Sequence, residues 1–225
     1  MMFTEENKNL LLEALSYIKR FNDKIVVIKY GGAAMIDEQL KHSFAQDIVL
    51  LQSLGMLPVI VHGGGPEVSK AMEQLGQEVS FIDGLRVTSS ENLKVAEMVL
   101  SGTINKEIIT HLNTFGGKAV GVSGKDGLLI EARKKGHAGG VDLGYVGEIE
   151  SVNPELLLVL LKQGFLPVVS PIGLGKDGVT YNINADTTAS RIAVALGAYK
   201  IIFMTDVDGV LEDGKLRGQL SAVET

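Results

Sequence analysis

Short apolar, β-branched runs alternate along this chain with longer stretches that have the periodicity of a helix. The runs occupy residues 25–30, 58–62, 119–123, 167–171 and 201–205. Continuous apolar runs of this length are typical of strands that are buried on both faces of a parallel sheet. Parallel strands require crossover connections, which are usually helices. We therefore predict an α/β fold in which a mostly parallel central sheet carries helices on both faces.

The stretches between the runs predict the crossover helices. Helical periodicity covers residues 37–54, 66–75, 89–115, 153–163 and 185–196. A glycine follows each stretch, as expected of helices that end in a left-handed cap: Gly55, Gly76, Gly116, Gly164 and Gly197. The third stretch contains Gly102, and the pattern leaves open whether the helix is broken there.

Two glycine-rich segments depart from this alternation. Residues 128–152 combine short apolar alternation with many glycines, which predicts a β-hairpin outside the main sheet. Residues 173–178 read GLGKDG and match the dinucleotide-binding pattern G-x-G-x-x-G, which must open a helix. The residues that follow alternate as in a strand, and Asp177-Gly178 is a hairpin-turn pair. We therefore interpret residues 173–178 as a hairpin turn.

Charge and composition exclude several classes of protein. The net charge of −6 provides no long-range attraction for nucleic acid or for an anionic membrane. The chain has no cysteine, which excludes disulfides and thiolate metal sites, and its four histidines lack metal-ligand spacing. No apolar run has the length of a membrane span. We expect a soluble cytoplasmic protein with no metal ligands of its own and no nucleic-acid or membrane partner.

Three consecutive glycines follow the second apolar run. Gly63, Gly64 and Gly65 precede Pro66, a residue that favours the first position of a helix. Without side chains, the backbone N–H groups near a helix N-terminus are accessible to an anion. A tight strand-to-helix turn requires one glycine, not three. We therefore predict an anion-binding turn at this strand end, which His62, directly before it, is a candidate to shape.

A second glycine turn follows the first apolar run. Lys29 lies near the end of that run, and Gly31 and Gly32 come directly after it. A lysine in an otherwise apolar strand is costly unless its ammonium has an anionic partner. Two glycine turns on adjacent strands, one of them with a lysine, can bracket a phosphoryl group. Neither turn is a P-loop, because G-x-x-x-x-G-K-[ST] is absent.

Arg86 is a candidate for binding a carboxylate. It lies in a short extended piece just before a helix that Ser89 or Ser90 would cap. A guanidinium in that place suits bidentate capture of a carboxylate. The competing interpretation is an arginine that is solvated at the surface.

Polar residues also surround the start of the last predicted helix. Asn182 and Asn184 share one face of a short predicted strand, and Asp186 follows at the helix start. Asp186 either caps the helix or, if it lies near Lys29, orients the ammonium of that lysine.

The last apolar run ends in a pair of aspartates that points to a different chemistry. Asp206, Asp208 and Gly209 resemble the nucleophile motif of haloacid-dehalogenase-type phosphatases, in which the first aspartate is phosphorylated. That motif follows the first strand of its fold, whereas here only 14 residues follow Leu211. Phosphatase chemistry at Asp206 is therefore the less favoured function.

Eight segments together carry a resemblance to a known family. They read, in order, KYGGAAM, VHGGGPEVSK, DGLRVTSS, GTINKEI, GVSGKDG, LPVVSPIG, YNINADTTAS and TDVDGVL. In this order they resemble the amino-acid kinase family over essentially the whole chain, and GLRVT with YNINAD favours its acetylglutamate kinases. The nearest alternative is the kinase that acts on carrier-linked aminoadipate. The resemblance implies ATP-dependent phosphorylation of the side-chain carboxylate of N-acetyl-L-glutamate, a step of arginine biosynthesis.

The resemblance also implies roles for individual residues. Lys29 would stabilise the transferring phosphoryl group, with Asp186 holding the lysine in place. Acetylglutamate would be bound by four residues: Gly64, Gly65, Arg86 and Asn182. The phosphoryl group and ATP would contact both glycine turns and the segment after the last strand: Gly31, Gly32, Gly63, Gly64, Asp206, Val207, Asp208, Gly209, Val210 and Leu211. The implied cofactor is ATP with Mg²⁺, the magnesium being carried by the nucleotide.

By the same resemblance, residues 1–24 would be a helical extension and residues 25–225 the kinase domain. The acetylglutamate-binding lobe would reach to about residue 175, followed by an incomplete nucleotide-binding lobe. Family members continue through a glycine-methionine-x-x-lysine segment that is absent here, and Ala33 replaces their more usual asparagine. We therefore expect a chain truncated at its C-terminus, with its acetylglutamate-binding groups intact and its ATP site incomplete. A non-catalytic metabolite-binding fragment is the alternative from another class.

The expected protein partners are copies of the same chain. The resemblance implies a homo-oligomer, either a dimer or a hexamer in which the N-terminal helix links dimers. That helix has an apolar face formed by Leu11, Leu12, Leu15 and Ile18. The face either links dimers or packs on its own domain.

Overall fold

The computed structural model describes residues 5–138, 140–207, 209–212 and 215–219. Within them the α-helices are α1 Glu5–Phe21, α2 Glu38–Ser53, α3 Gly65–Gln74, α4 Ser90–Glu97, α5 Asn105–Thr114, α6 Glu155–Lys162 and α7 Ala185–Ala195. The first nine strands are β1 Ile25–Tyr30, β2 Leu57–His62, β3 Phe81–Ile82, β4 Leu85–Arg86, β5 Ala119–Ser123, β6 Ile130–Lys134, β7 His137–Ala138, β8 Val141–Asp142 and β9 Gly147–Val152. They are followed by β10 Leu166–Ser170, β11 Ile172–Leu174, β12 Thr180–Asn182, β13 Lys200–Phe203, β14 Leu211–Glu212 and β15 Lys215–Leu216.

The central sheet is parallel throughout its described strands, and the predicted fold class is confirmed. Its strands lie in the order β13, β1, β2, β10, β5, and each overlaps one of the apolar runs. Helices cover both faces, with one apolar cluster on each side of the sheet. The side chains of β1 alternate between them, so Val26 and Ile28 join the first cluster and Val27 the second. The five predicted cap glycines all have positive φ, as the helix ends require.

The register of β1 and β2 brings the two glycine turns together. Lys29 pairs with Val61 and Tyr30 with His62, so the strands end side by side. The N–H of Gly63 donates to the carbonyl oxygen of Tyr30 at 2.9 Å. Both turns therefore open at the same edge of the sheet.

The two glycine-rich segments also fold as predicted. Residues 128–152 contain β6 and β9, which pair antiparallel outside the central sheet. β11 and β12 form an antiparallel hairpin around residues 175–178, in which Gly178 has a φ of 79°. The hairpin interpretation of GLGKDG is confirmed, because a strand, β12, and not a helix follows the glycines directly.

The long helical stretch 89–115 is continuous, but it changes its pitch. Ser89 caps α4, as predicted, by accepting a hydrogen bond from the N–H of Asn92 at 3.1 Å. From Met98 to Ile104 the backbone is a π-helix, and α5 follows without a turn between them. Gly102 lies inside this π-helical segment, so the helix is wound differently there and is not broken.

The exposed apolar surface includes the N-terminal helix. Leu11, Leu12 and Leu15 of α1 are exposed and Ile18 is half-buried, so most of this face does not pack on the described part of the domain. Among the residues that the structure describes, no helix combines the length and the apolar composition needed to cross a membrane.

Candidate functional site

A cavity of about 380 Å³ opens where β1, β2 and β10 end. This is the edge of an open α/β sheet at which ligands bind. Ten of the residues predicted from the sequence line it: Lys29, Gly31, Gly32, Gly63, Gly64, Gly65, Arg86, Asn182, Asp186 and Asp206. Residues from five separated segments of the chain therefore meet in one place.

Lys29 has the anionic partner that its position in an apolar strand requires. It follows Ile28 in β1 and lies on the same face of the sheet as Val27, the face that α7 covers. Its Nζ lies 3.2 Å from Oδ1 of Asp186, in the first turn of α7. The lysine side chain is 15% exposed and the carboxylate 56%, so the pair is open to the cavity from the aspartate side.

The N-cap of α7 is Asn184, and the capping role considered for Asp186 is wrong. The side-chain oxygen of Asn184 accepts hydrogen bonds from the N–H and the hydroxyl of Thr187, at 2.9 and 3.2 Å. Asn184 consequently lies outside β12 and does not share its strand with Asn182. Because Asn184 caps the helix, Asp186 is available to Lys29.

The first glycine turn contacts the segment that follows β13. Gly32 has a φ of 69° and begins a short 3₁₀-helix, Gly32–Met35. The N–H of Ala33 donates to Oδ1 of Asp206 at 2.5 Å. The positive φ favours glycine at position 32, and a side chain there would displace this carboxylate. Asp206 is thereby held at the mouth of the turn.

The second glycine turn is shaped by the π-helical segment. Gly64 has a φ of 144°, and a side chain there would collide with Ile104 and Leu100. Gly65 and Pro66 then begin α3, whose N-terminus faces the cavity. Backbone N–H groups and the helix dipole are therefore directed at the space that an anion would fill.

His62 supports this turn from inside the core, as the sequence suggested. The residue is fully buried, and its Nδ1 lies 2.8 Å from the carbonyl oxygen of Gly63. Its Nε2 lies 3.2 Å from the side-chain nitrogen of Asn105, which also donates to the carbonyl of Val168 at 3.0 Å. Burial lowers the pKa of His62 to about 4, so the imidazole is neutral at physiological pH.

We expect the neutral state of His62 to make stability pH-dependent. Its folded-state pKa of about 4 lies below the ordinary 6.5, so the unfolded chain takes up the proton first as pH falls. The free energy of unfolding is therefore unaffected by protonation of His62 above pH 6.5. It decreases by about 3 kcal/mol as pH falls from 6.5 to 4, because the unfolded chain is stabilised by the proton that it binds. Urea titrations at several pH values should therefore show that the free energy of unfolding falls more steeply with decreasing pH for the unaltered chain than for His62→Asn. Parallel curves would contradict the assignment.

Arg86 is a buried cation in the wall of the cavity, and the surface interpretation is wrong. It is 7% exposed, and burial lowers its pKa. One guanidinium nitrogen, Nη2, donates to the carbonyl of Gly65 at 2.7 Å and to the hydroxyl of Ser69 at 2.8 Å. Its carbon Cζ lies 4.6 Å from the ring centre of Phe81. Within the described residues no carboxylate lies in ion-pair range of Arg86.

Asn182 lies across the cavity at the end of β12. Its side-chain nitrogen lies 3.5 Å from the hydroxyl oxygen of Thr88, a weak contact, and its backbone N–H donates to Tyr145 at 2.9 Å. The amide side chain can therefore turn towards a ligand at little cost.

The predicted nucleotide segment is only partly joined to this cavity. Of its described residues, Asp206 lines the cavity, whereas Val207, Gly209 and Val210 do not. Leu211 pairs through its backbone with Leu216 in the β14–β15 hairpin. Asp208 lies outside the described residues.

Sequence reasoning missed several residues of the site. Glu67 lines the cavity from the first turn of α3, and its Oε2 is buried without a hydrogen-bond partner in the described structure. Phe81 lines the cavity beneath Arg86. Asn105 is 1% exposed and touches the turn only through His62. Glu67 could have been identified as a site residue from its position directly after the glycines and Pro66. No sequence signal connects residues 105 and 62.

Comparison with known proteins identifies the family. The amino acid kinase family model matches residues 24–224. The chain belongs to the amino acid kinase family. It is 55% identical to the acetylglutamate kinase of Methanocaldococcus jannaschii over 216 residues, which is 92% of this chain and 72% of that protein. It is 49% identical to the acetylglutamate kinase of Methanothrix thermoacetophila over 227 residues, covering 97% of this chain and 78% of that protein.

A solved structure shows the same family likeness in three dimensions. The N-acetylglutamate synthase of Neisseria gonorrhoeae, complexed with coenzyme A and N-acetyl-glutamate, matches with a TM-score of 0.82 at 28% identity. The match covers 95% of this chain and 49% of the synthase chain. The resemblance to acetylglutamate kinases inferred from the eight sequence segments is confirmed by the two kinase relatives.

Proposed function

We propose that this chain transfers the γ-phosphoryl group of ATP to the side-chain carboxylate of N-acetyl-L-glutamate, a step of arginine biosynthesis. Kinase relatives at about 50% identity support this activity. The observation that carries the substrate assignment is Arg86, a buried cation in the cavity wall without a carboxylate partner in the described structure. The relatives do not favour a carrier-linked aminoadipate kinase or a non-catalytic module.

The substrate carboxylate is the natural partner of Arg86. A buried charge without a counter-ion is costly, and a bound carboxylate would offset that cost through charge-assisted hydrogen bonds. We assign the α-carboxylate of acetylglutamate to Arg86 and its amide region to Asn182. Gly64 and Gly65 have no side chains that would block close approach of the ligand to the backbone.

The transfer step follows from charge. The reacting carboxylate has an ordinary pKa near 4.3 and is already ionised at neutral pH, so no general base is required. The obstacle is repulsion between this anion and the phosphoryl group. The ammonium of Lys29, which Asp186 orients at 3.2 Å, and the N–H groups of the two glycine turns would neutralise the phosphoryl oxygens.

ATP would enter beside the first turn, along the segment that begins at Asp206. Magnesium would arrive with the nucleotide, because Mg²⁺ is held mainly by phosphate oxygens and water in such sites. Three carboxylate side chains line the cavity: Glu67, Asp186 and Asp206. In the described part of the chain, no group of three or more carboxylate or imidazole side chains could hold the ion alone. When bound, Mg²⁺ supplies further neutralisation of the phosphates.

We propose a lobe boundary near residue 175 and an assembly of several copies of this chain. The exposed face of α1, formed by Leu11, Leu12 and Leu15, supports an assembly through this helix. We propose a homo-oligomer, a dimer or a hexamer, in the cytoplasm. Light scattering of the unaltered chain and of a Leu11→Ser, Leu15→Ser variant would measure how much α1 contributes to the assembly. An unchanged mass of the variant would contradict an assembly through α1.

We expect ATP-dependent turnover of N-acetyl-L-glutamate and not of N-acetyl-L-aspartate, whose carboxylate is one methylene shorter. ADP release in a coupled assay, together with trapping of the acyl phosphate by hydroxylamine, would detect the product. Calorimetry would separately measure the binding of acetylglutamate and of ATP–Mg²⁺. Binding without turnover would instead support a metabolite-binding module. Turnover that survives Lys29→Ala but not Asp206→Ala would support phosphatase-type chemistry.

A further inference from the structure

The triple-glycine turn is supported by a hydrogen-bonded chain that passes through the core. It runs from the carbonyl of Gly63 to His62, from His62 to Asn105, and from Asn105 to the carbonyl of Val168 in the neighbouring strand. His62 is fully buried, and Asn105 is 1% exposed. The pair is therefore shielded from water, and neither residue lines the cavity.

The chemistry of the groups determines which of them donates and which accepts in each of these hydrogen bonds. A carbonyl oxygen only accepts, so Nδ1 of His62 must carry the proton that it donates to Gly63. Nε2 then has a free electron pair and accepts from the side-chain N–H₂ of Asn105, whose second hydrogen goes to Val168. Each donor is matched to an acceptor, which defines the tautomer of His62.

The hydrogen bond from His62 to the carbonyl of Gly63 determines where the N–H of Gly64 points. No peptide bond in the described chain is cis, so the carbonyl of Gly63 and the N–H of Gly64 lie in one plane and point in opposite directions. The carbonyl points to His62 in the core, and the N–H of Gly64 consequently points towards the cavity that Gly64 lines. In the described structure this N–H donates to no protein acceptor.

The π-helical segment places Asn105 at the required position. Met98–Ile104 is wound wider than an α-helix, and α5 begins at Asn105 directly after it. The same segment presses Leu100 and Ile104 against Gly64. This irregular stretch thus provides the apolar backing of the turn and sets the position of the amide that follows it and orients His62, in keeping with the frequent occurrence of π-bulges at functional sites.

We propose that His62 and Asn105 are positioning residues for phosphoryl transfer, which orient the Gly63–Gly64 peptide so that the N–H of Gly64 faces the transferring group. This inference rests on the proposed kinase function. Neither residue touches the substrate; each acts through the peptide that it holds. A misdirected N–H would weaken stabilisation of the transition state more than binding of acetylglutamate, because Arg86 is unaffected.

Two substitutions of His62 separate its two hydrogen bonds. His62→Asn places an amide nitrogen at the position of Nδ1 and keeps the bond to Gly63, whereas His62→Gln places an amide oxygen at the position of Nε2 and keeps only the bond to Asn105. Both leave one buried partner unsatisfied, so we expect similar losses of stability. We expect kcat to fall about 100-fold in His62→Gln and less than about fivefold in His62→Asn, with KM for acetylglutamate within about threefold in both. Equal losses of kcat would overturn the inference.

Asn105 has a matched control in Asn92, another buried amide that donates to a backbone carbonyl. Its side-chain nitrogen donates to Glu78 at 3.1 Å, and Asn92 does not line the cavity. We expect Asn105→Ala to lower kcat about tenfold and Asn92→Ala to leave it unchanged, at comparable losses of melting temperature. Equal effects on kcat would overturn the role of Asn105.

The tautomer of His62 can be measured without turnover and without any substitution. ¹⁵N NMR of the imidazole in the full chain should show a proton on Nδ1, none on Nε2, and a neutral ring down to about pH 5. A proton on Nε2 would overturn the inference even if the chain is an active kinase. The expected tautomer in a chain that does not phosphorylate acetylglutamate would refute the proposed function and leave the geometry of the turn standing.

Discussion

Lys29→Met is expected to lower kcat for acetylglutamate phosphorylation about 10³-fold, with KM for acetylglutamate within about threefold. The ammonium acts on charge that develops on the phosphoryl group, so its loss raises the barrier more than it weakens ground-state binding. Met replaces a long side chain by an apolar one of similar shape in an otherwise apolar strand. Asp186 is left unpaired but is 56% exposed, so water can solvate it and the fold should be retained. Steady-state kinetics with both substrates would measure the change.

Lys41→Met is the matched control for this prediction. Lys41 is also an ion-paired lysine, with its Nζ 2.6 Å from Glu107 and 2.9 Å from Glu38, but it lies outside the cavity. We expect its substitution to affect stability and to leave kcat unchanged. A Lys29→Met variant that is folded and keeps more than about a tenth of kcat would contradict the role of Lys29.

Arg86→Gln is expected to raise the dissociation constant of acetylglutamate about 100-fold and to leave ATP binding unchanged. Removing one partner of a buried, hydrogen-bonded charge pair typically costs about 2–5 kcal/mol, which corresponds to factors on either side of 100. Calorimetry measures this constant without requiring turnover. An acetylglutamate analogue whose α-carboxylate is an amide should bind the unaltered chain and the variant about equally, because the contact with Arg86 is absent in both.

The control for Arg86 is Arg133→Gln. Arg133 is 62% exposed and pairs with Glu148 at 2.8 Å, outside the cavity. Its loss should affect neither ligand. Since Arg86 also bonds Gly65 and Ser69, circular dichroism must show that the Gln variant is folded. An unchanged dissociation constant in a folded variant would place the α-carboxylate elsewhere.

Much of the fold follows from local patterns in the chain. The strands of the central sheet and their helices were predictable because a buried parallel strand requires an apolar run and a helix end favours glycine. Lys29 and the two glycine turns were predictable for a related reason. A charge in an apolar strand and repeated glycines are costly unless something offsets them, so each marks a candidate functional position in the sequence itself.

Other features of the site have no such local cost. The N-cap of α7 falls on Asn184 and not on Asp186, because both residue types suit the position and only the path of the chain selects one. The burial of Arg86 is likewise invisible in the sequence, where a surface arginine is equally plausible. Phe81 and Ser69, which contact it, lie 5 and 17 residues away along the chain.

The sequence by itself determined the α/β class, the two glycine turns and the family. The resemblance already implied Asp186 beside Lys29, but only the tertiary structure decided that the two lie within ion-pair range and that Asn105 serves His62. The Lys29–Asp186 pair spans 157 residues and the His62–Asn105 pair 43, and no periodicity links such distant positions. They meet because parallel strands with crossover helices bring the carboxyl ends of separate segments to one sheet edge, and because a π-helical segment turns Asn105 towards His62.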